Sequence, residues 1–174
     1  MHTIGMSSIQ HELKQTRPFT SKGEEAGVAL MRTADLLRRN LNTILAPHDL
    51  TEQQYNVLRI LRGAGERGVP TLDIAERMIE ETPGITRLID RLEAKKLVTR
   101  ERCTVDRRRV YCRITKTGLE LVNALDRPVL DGVEAAMSGL KKRELTELLA
   151  LLDRAREVMN ISLNNLRAAN ASRR

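Results

Sequence analysis

Aromatic residues are nearly missing from this chain: two tyrosines, one phenylalanine and no tryptophan in 174 residues. Proteins that hold single-stranded nucleic acid stack successive bases on aromatic rings. Phe19, Tyr55 and Tyr111 make no such platform, so duplex DNA is the expected form of any nucleic-acid partner. Cysteine is scarce too: Cys103 and Cys112 suit a reducing compartment better than a disulfide framework. No apolar run approaches the ~18 residues of a membrane span. The N-terminus also lacks the basic-then-apolar pattern of a secretory signal. A cytoplasmic chain with no membrane partner is expected. His2, His11 and His48 are scattered, with no ligand-spaced cysteine or carboxylate beside them. No phosphate loop, nucleophile motif or catalytic carboxylate pair is visible. The expectation is therefore no metal, no cofactor and no enzymatic activity.

What is present is positive charge. Thirty Lys and Arg against 23 Asp and Glu leave a net +7, which biases the chain toward anionic partners, chiefly nucleic acid. With 41% hydrophobic and 30% charged residues, the composition is that of a folded protein. The length allows one domain with a proper core and appended helices.

Residues 1–22 are polar and without clear period, and read as a leader. Residues 23–48 hold an amphipathic helix, with Val28, Met31, Ala34, Leu37, Leu41 and Leu45 at helical spacing and an end before Pro47. In LTEQQY (50–55), Thr51 suits an N-cap that Gln54 completes as a capping box, while Leu50 and Tyr55 occupy the positions of a hydrophobic staple. GAGERG (63–68) breaks that helix. Thr71 is expected to cap the next, short one. Thr82-Pro83 then offers an N-cap followed by proline at the first helical position. In the helix that follows, Ile85, Leu88, Ile89 and Leu92 face inward and Thr86, Arg87, Asp90 and Arg91 outward. Asp90 and Glu93 read as partners for Arg91 and Lys95.

LVTRERC (97–103) and RVYCRIT (109–115) read as the strands of a hairpin. Thr117-Gly118 opens a further helix, which Pro128 should kink or interrupt. From about Lys141 a long helix carries Leu145, Leu148, Leu149, Leu152, Ala155, Val158 and Met159 as a wide stripe. The fold class is therefore mainly α with a small β-hairpin wing: a winged helix-turn-helix over 49–118, and helices at 23–48 and 119–170. Too few other elements exist to cover the terminal stripes, so these helices are expected to form a homodimer interface.

In a helix-turn-helix the N-terminus of the second helix enters the major groove. Thr82, Pro83, Gly84, Ile85, Thr86, Arg87 and Arg91 are accordingly the candidate recognition residues, and Thr71 a candidate contact to the DNA backbone. The hairpin tip, with Asp106, Arg107, Arg108 and Arg109, is the candidate wing, since arginine is drawn to the negative potential of the minor groove. A solvated basic hairpin docking an acidic protein is the competing reading. Cys103 and Cys112 allow a third, a thiol switch, which needs an exposed thiolate stabilised by positive charge. Two small strand residues are the plainer alternative.

The run LTEQQYNVLRIL, TLDIAERM and TPGITRLIDRLEAKKLVTRERCTVDRRRVYCRITKTG resembles the MarR family of bacterial transcriptional regulators over residues 50–118. The wing signature appears as Asp106, Arg108 and Ile114-Thr115, with Ile where the family has Leu. The resemblance implies a winged-helix homodimer that binds palindromic DNA, most often as a repressor. It further implies that Asp106 bonds an arginine to hold the wing and that Arg108 enters the minor groove. Lys96 is a departure, standing where the family usually has glycine to end the recognition helix; a left-handed lysine there would carry strain of about 1 kcal/mol. Many members release DNA when a small, often phenolic, anion binds between the dimerisation helices and the DNA-binding lobe. Tyr55 is the candidate for such an effector pocket.

Overall fold

A computed structural model describes residues 9–81, 83–102 and 109–172. The chain divides into two compact units, Met1–Val133 and Glu134–Arg174. The first begins with a short helix α1 (Ile9–Glu12) inside the stretch read as a leader. Helix α2 (Lys22–Leu45) follows, with the Ser21 hydroxyl accepting the Glu24 amide as its N-cap. The winged unit comprises α3 (Glu52–Ala64), β1 (Val69–Pro70), α4 (Thr71–Arg77), α5 (Ile85–Ala94), β2 (Val98–Arg102) and β3 (Val110–Ile114), and α6 (Lys116–Met137) follows it.

Helix α3 starts as its sequence dictates. Thr51 Oγ1 accepts the Gln54 amide and Gln54 Oε1 accepts the Thr51 amide, each at 3.2 Å. The Glu52 amide donates to Asn42 Oδ1 at 3.1 Å, tying α2 to this helix start. Leu50 and Tyr55 both enter the core, with Leu58, Leu61, Ile74, Ile89, Leu92, Val122 and Leu125. The glycine-rich break places Gly68 at φ +65, where a Cβ would lie 2.7 Å from the Cys112 carbonyl. Glycine is thus required there twice over, by conformation and by space.

The hairpin proves to be two strands of a three-stranded antiparallel sheet ordered β1-β3-β2. Val69 pairs with Cys112 and Pro70 with Tyr111. A two-residue strand carries no periodic signal, and its proline is tolerated because β1 lies at the sheet edge.

Three helix starts differ from expectation. Thr71 is the first residue of α4, preceded by Pro70 and without a side-chain cap. Helix α5 begins at Ile85, not beside Thr82-Pro83, because Gly84 takes the left-handed φ of 92° as its N-cap. Thr115, not Thr117, caps α6, its hydroxyl accepting the Gly118 amide at 3.0 Å. Pro128 does not interrupt α6. A proline inside a helix costs about 3 kcal/mol, and burial of Val122 and Leu125 on the same helix offsets it.

Helix α5 ends at its C-cap Lys95, and the departure at Lys96 does take the strained conformation. Lys96 adopts φ +59, the Lys96 amide reaches the Glu93 carbonyl and the Leu97 amide the Leu92 carbonyl, at 2.8 and 3.0 Å. This is a Schellman cap with lysine in the position glycine favours.

In the second unit, α7 (Lys142–Ala171) buries no residue. Of the expected stripe, Leu145, Leu148, Leu152 and Ala155 are half-buried, while Leu149, Val158 and Met159 are exposed. Leu151, Ile161, Leu163 and Leu166 are exposed as well. Among the described residues no helix is long and apolar enough to cross a membrane, and no cluster of three or more metal-ligating side chains occurs.

Candidate nucleic-acid interface

Helix α5 divides cleanly. Ile85, Leu88, Ile89 and Leu92 are buried, while Thr86, Arg87, Asp90 and Arg91 are exposed. Ile85 therefore leaves the set of recognition candidates: at 7% exposure it is part of the core that holds the helix. Pro83 and Gly84 are exposed in the turn before α5. The Arg87 and Leu88 amides reach back to the Gly84 carbonyl at 2.9 and 3.3 Å. With no side-chain cap, the amides of Ile85 and Thr86 form the outward, positive end of the helix. Thr82, Cys103, Asp106, Arg107 and Arg108 lie outside the described residues.

The structure separates the basic side chains of this region by what each already holds. Arg87 and Arg91 form no ion pair among the described residues. Arg113 is committed internally: Nε donates to the Glu66 carbonyl at 2.9 Å, and the guanidinium pairs with Glu101. Arg100, on β2, reaches across to α5. Its Nη1 lies 2.6 Å from Asp90 Oδ1, its Nε donates to Glu93 Oε2 at 2.9 Å, and its Nη2 also meets Glu93. The hydrogen bond from Arg100 holds the Glu93 carboxyl below its ordinary range, and Glu93 in turn raises Arg100. Asp90 and Glu93 thus pair with the wing strand, not with Arg91 and Lys95 along the helix. Helical spacing found the nearest cations but could not see a strand crossing beside them. Lys95 instead sits 2.8 Å from Asp49.

A groove of about 410 Å³ runs between the start of α4, the start of α5 and the sheet, lined by Thr71, Leu72, Thr86, Arg100, Arg109 and Val110 among others. Thr71 is half committed here. Its hydroxyl donates to the Val110 carbonyl at 3.3 Å and lies 3.5 Å from Cys112 Sγ, so it fastens α4 to β3. Leu72 beside it is 74% exposed, an apolar side chain outside the core.

Tyr55 is a core residue at 4% exposure, its phenol pushed up from the ordinary value by burial, with the Arg59 guanidinium over its ring. A cavity of about 620 Å³ opens one residue away, lined by Asp49, Thr51, Gln54, Arg91 and Lys95 among others. Gln54 is 3% exposed and its Oε1 faces Lys95 Nζ at 3.5 Å. Cys112 is fully buried, and burial raises its thiol. It is therefore held away from the thiolate that a redox sensor needs.

Comparison with known proteins agrees with this geometry. The MarR family model matches residues 50–110. The homoprotocatechuate degradative operon repressor of Escherichia coli is 30% identical over 125 residues, covering 70% of this chain and 83% of that protein. The crystal structure of a MarR transcription factor from Planctomyces limnophilus is 40% identical, with a TM-score of 0.62, covering 78% of this chain and 98% of that one. A mutant of Escherichia coli MarR complexed with operator DNA shares the fold at 23% identity, with a TM-score of 0.71 and coverage of 80% and 99%. The chain belongs to the MarR family of transcriptional regulators, proteins that bind DNA.

Proposed function

We propose that this protein is a repressor that binds a palindromic operator in double-stranded DNA as a homodimer. The observation that carries the reading is the outward face of α5, where Thr86, Arg87 and Arg91 stand exposed on a helix whose other face is core. In this reading that face enters the major groove. Arg87 meets a guanine edge or a phosphate, Thr82 and Gly84 approach the DNA, and in the wing Arg107 and Arg109 meet phosphates while Asp106 holds Arg108 for the minor groove. Similarity to a named operon repressor supports repression. The exposed apolar side chains of α2 and α7, Met31, Leu149 and Val158 among them, support pairing with a second copy.

Release by a small-molecule effector belongs to the same proposal. Tyr55 is too enclosed to line the site, so the effector pocket is reassigned to the cavity beside Gln54. There Arg91 and Lys95 suit a small anion, and Lys95 would exchange Asp49 for it. Because Arg91 stands on α5 and Lys95 is its C-cap, the ligand would bias the position of the recognition helix.

The test is a gel shift on duplexes drawn from the DNA flanking the gene. Arg87→Ala and Arg108→Ala are each expected to weaken a palindromic duplex at least about tenfold. Unchanged affinity in Arg108→Ala removes the wing from the reading, and equal binding of a scrambled duplex removes sequence recognition altogether.

A further inference from the structure

The recognition helix carries two carboxylates on or beside its outward face, Asp90 and Glu93, where a polyanion is to be met. Left alone they would repel phosphate. Arg100 comes from the neighbouring strand and engages both, through Nη1 at 2.6 Å to Asp90 and Nε at 2.9 Å to Glu93. Its planar fork is suited to such a double contact, and lysine's single ammonium is not. Arg100 also lines the groove between α4, α5 and the sheet, so by position alone it would be counted among the phosphate contacts.

We propose that Arg100 is a positioning residue for DNA binding that partly offsets the charge of Asp90 and Glu93 and fixes the wing strand to the recognition helix, rather than contacting phosphate itself. Three of its donors already face carboxylates. The geometry makes a distinction that counting cations does not: Arg87 and Arg91 add positive charge to the interface, whereas Arg100 is outweighed by the two acids it engages and the trio carries a net negative charge. The inference rests on duplex DNA being the partner.

The experiment measures affinity for a palindromic duplex across a salt series, with thermal melts of each variant. Parent protein must first bind with steep salt dependence; if it does not, the DNA reading fails before Arg100 is tested. Arg100→Met is expected to weaken binding about tenfold or more, because two uncompensated acids then face the phosphates. The triple variant Arg100→Met/Asp90→Asn/Glu93→Gln is expected to recover most of that loss, with a salt slope like the parent's. A triple variant as weak as Arg100→Met, with a slope shallower by about one phosphate contact (~0.9), means that Arg100 touches DNA and overturns the proposal. If Arg100→Met fails to fold, Asp90→Asn/Glu93→Gln decides alone. Freeing Arg100 should tighten binding and steepen the slope by roughly 0.9; weaker binding with an unchanged slope contradicts the clamp.

Discussion

Helix α5 has 10 residues and buries four of them; α7 has 30 and buries none. Both carry apolar residues at helical spacing, so pattern alone does not distinguish them. The difference lies in what each helix has to pack against. The stripe of α5 meets α3, α4 and β2 within one core, and that core holds its outward face rigid. The stripe of α7 leaves Leu149, Val158, Ile161 and Leu166 in solvent. A long helix gains most of its stability from packing, and these side chains are the surface we assign to a second copy. One helix is completed by its own chain, and the other, in the function proposed above, by association.

Breaking each helix should therefore give different losses. Ile89→Ala is expected to cost about 2–5 kcal/mol in denaturant unfolding, since Ile89 is fully buried and the cavity cannot collapse freely. Val158→Asp is expected to leave the winged unit folded and to shift light scattering from dimer toward monomer, with DNA affinity lost in parallel. If Val158→Asp stays dimeric, the comparison between the helices loses its explanation.

Next in size is Gly118→Ala. A Cβ there would lie 2.3 Å from the Leu97 carbonyl, so the substitution should lower the melting temperature despite alanine's helix preference of about 1 kcal/mol. The same change at Gly63, in α3 with nothing within 4 Å of an added Cβ, should raise it. Equal effects at the two sites contradict the close approach of α6 to Leu97. Lys96→Gly removes the left-handed strain at φ +59 and should stabilise by roughly 1 kcal/mol.

The smallest expected effect concerns Asp126, whose carboxyl is held below its ordinary value by a 2.7 Å hydrogen bond from Arg62. Its folded pKa is depressed, so its contribution is present above the ordinary value of 3.8 and is lost as pH falls through the folded value. The side chain is 52% exposed, which limits the term to less than about 1 kcal/mol. Asp126→Asn should flatten the acid limb of stability against pH by no more than that.

Much of the winged unit was legible because its signals are local. The Thr51–Gln54 box, the break at Gly65–Gly68 and the 3.6-residue stripe of α5 each need only a few consecutive residues. The resemblance marked Lys96 as standing in a glycine position, but its left-handed φ of 59° came from the structure. What was not legible depends on residues far apart in the chain. Edge strand β1 exists only because β3 offers it a ladder. Gly84 displaced the Thr82-Pro83 start because a left-handed glycine ends the preceding turn better than the proline begins the helix. The pairing of Asp90 and Glu93 with Arg100 needs the strand to cross beside the helix, so neighbours at helical spacing were the wrong partners. Of the site, the outward face of α5 was readable from periodicity, whereas the separation of Arg100 and Arg113, committed to acids, from Arg87 and Arg91, which form no ion pair among the described residues, was not.

The most direct test of a dimeric reader of duplex DNA is one fluorescence-anisotropy titration, using a labelled palindromic duplex from the DNA flanking the gene, at several salt concentrations. The dimeric reading predicts saturation at two chains per duplex, with log affinity falling linearly against log salt at a slope of several phosphate contacts. Affinity for a scrambled duplex should be at least about a thousandfold lower. One chain per duplex, or affinity insensitive to salt and to sequence, would contradict a dimeric reader of duplex DNA.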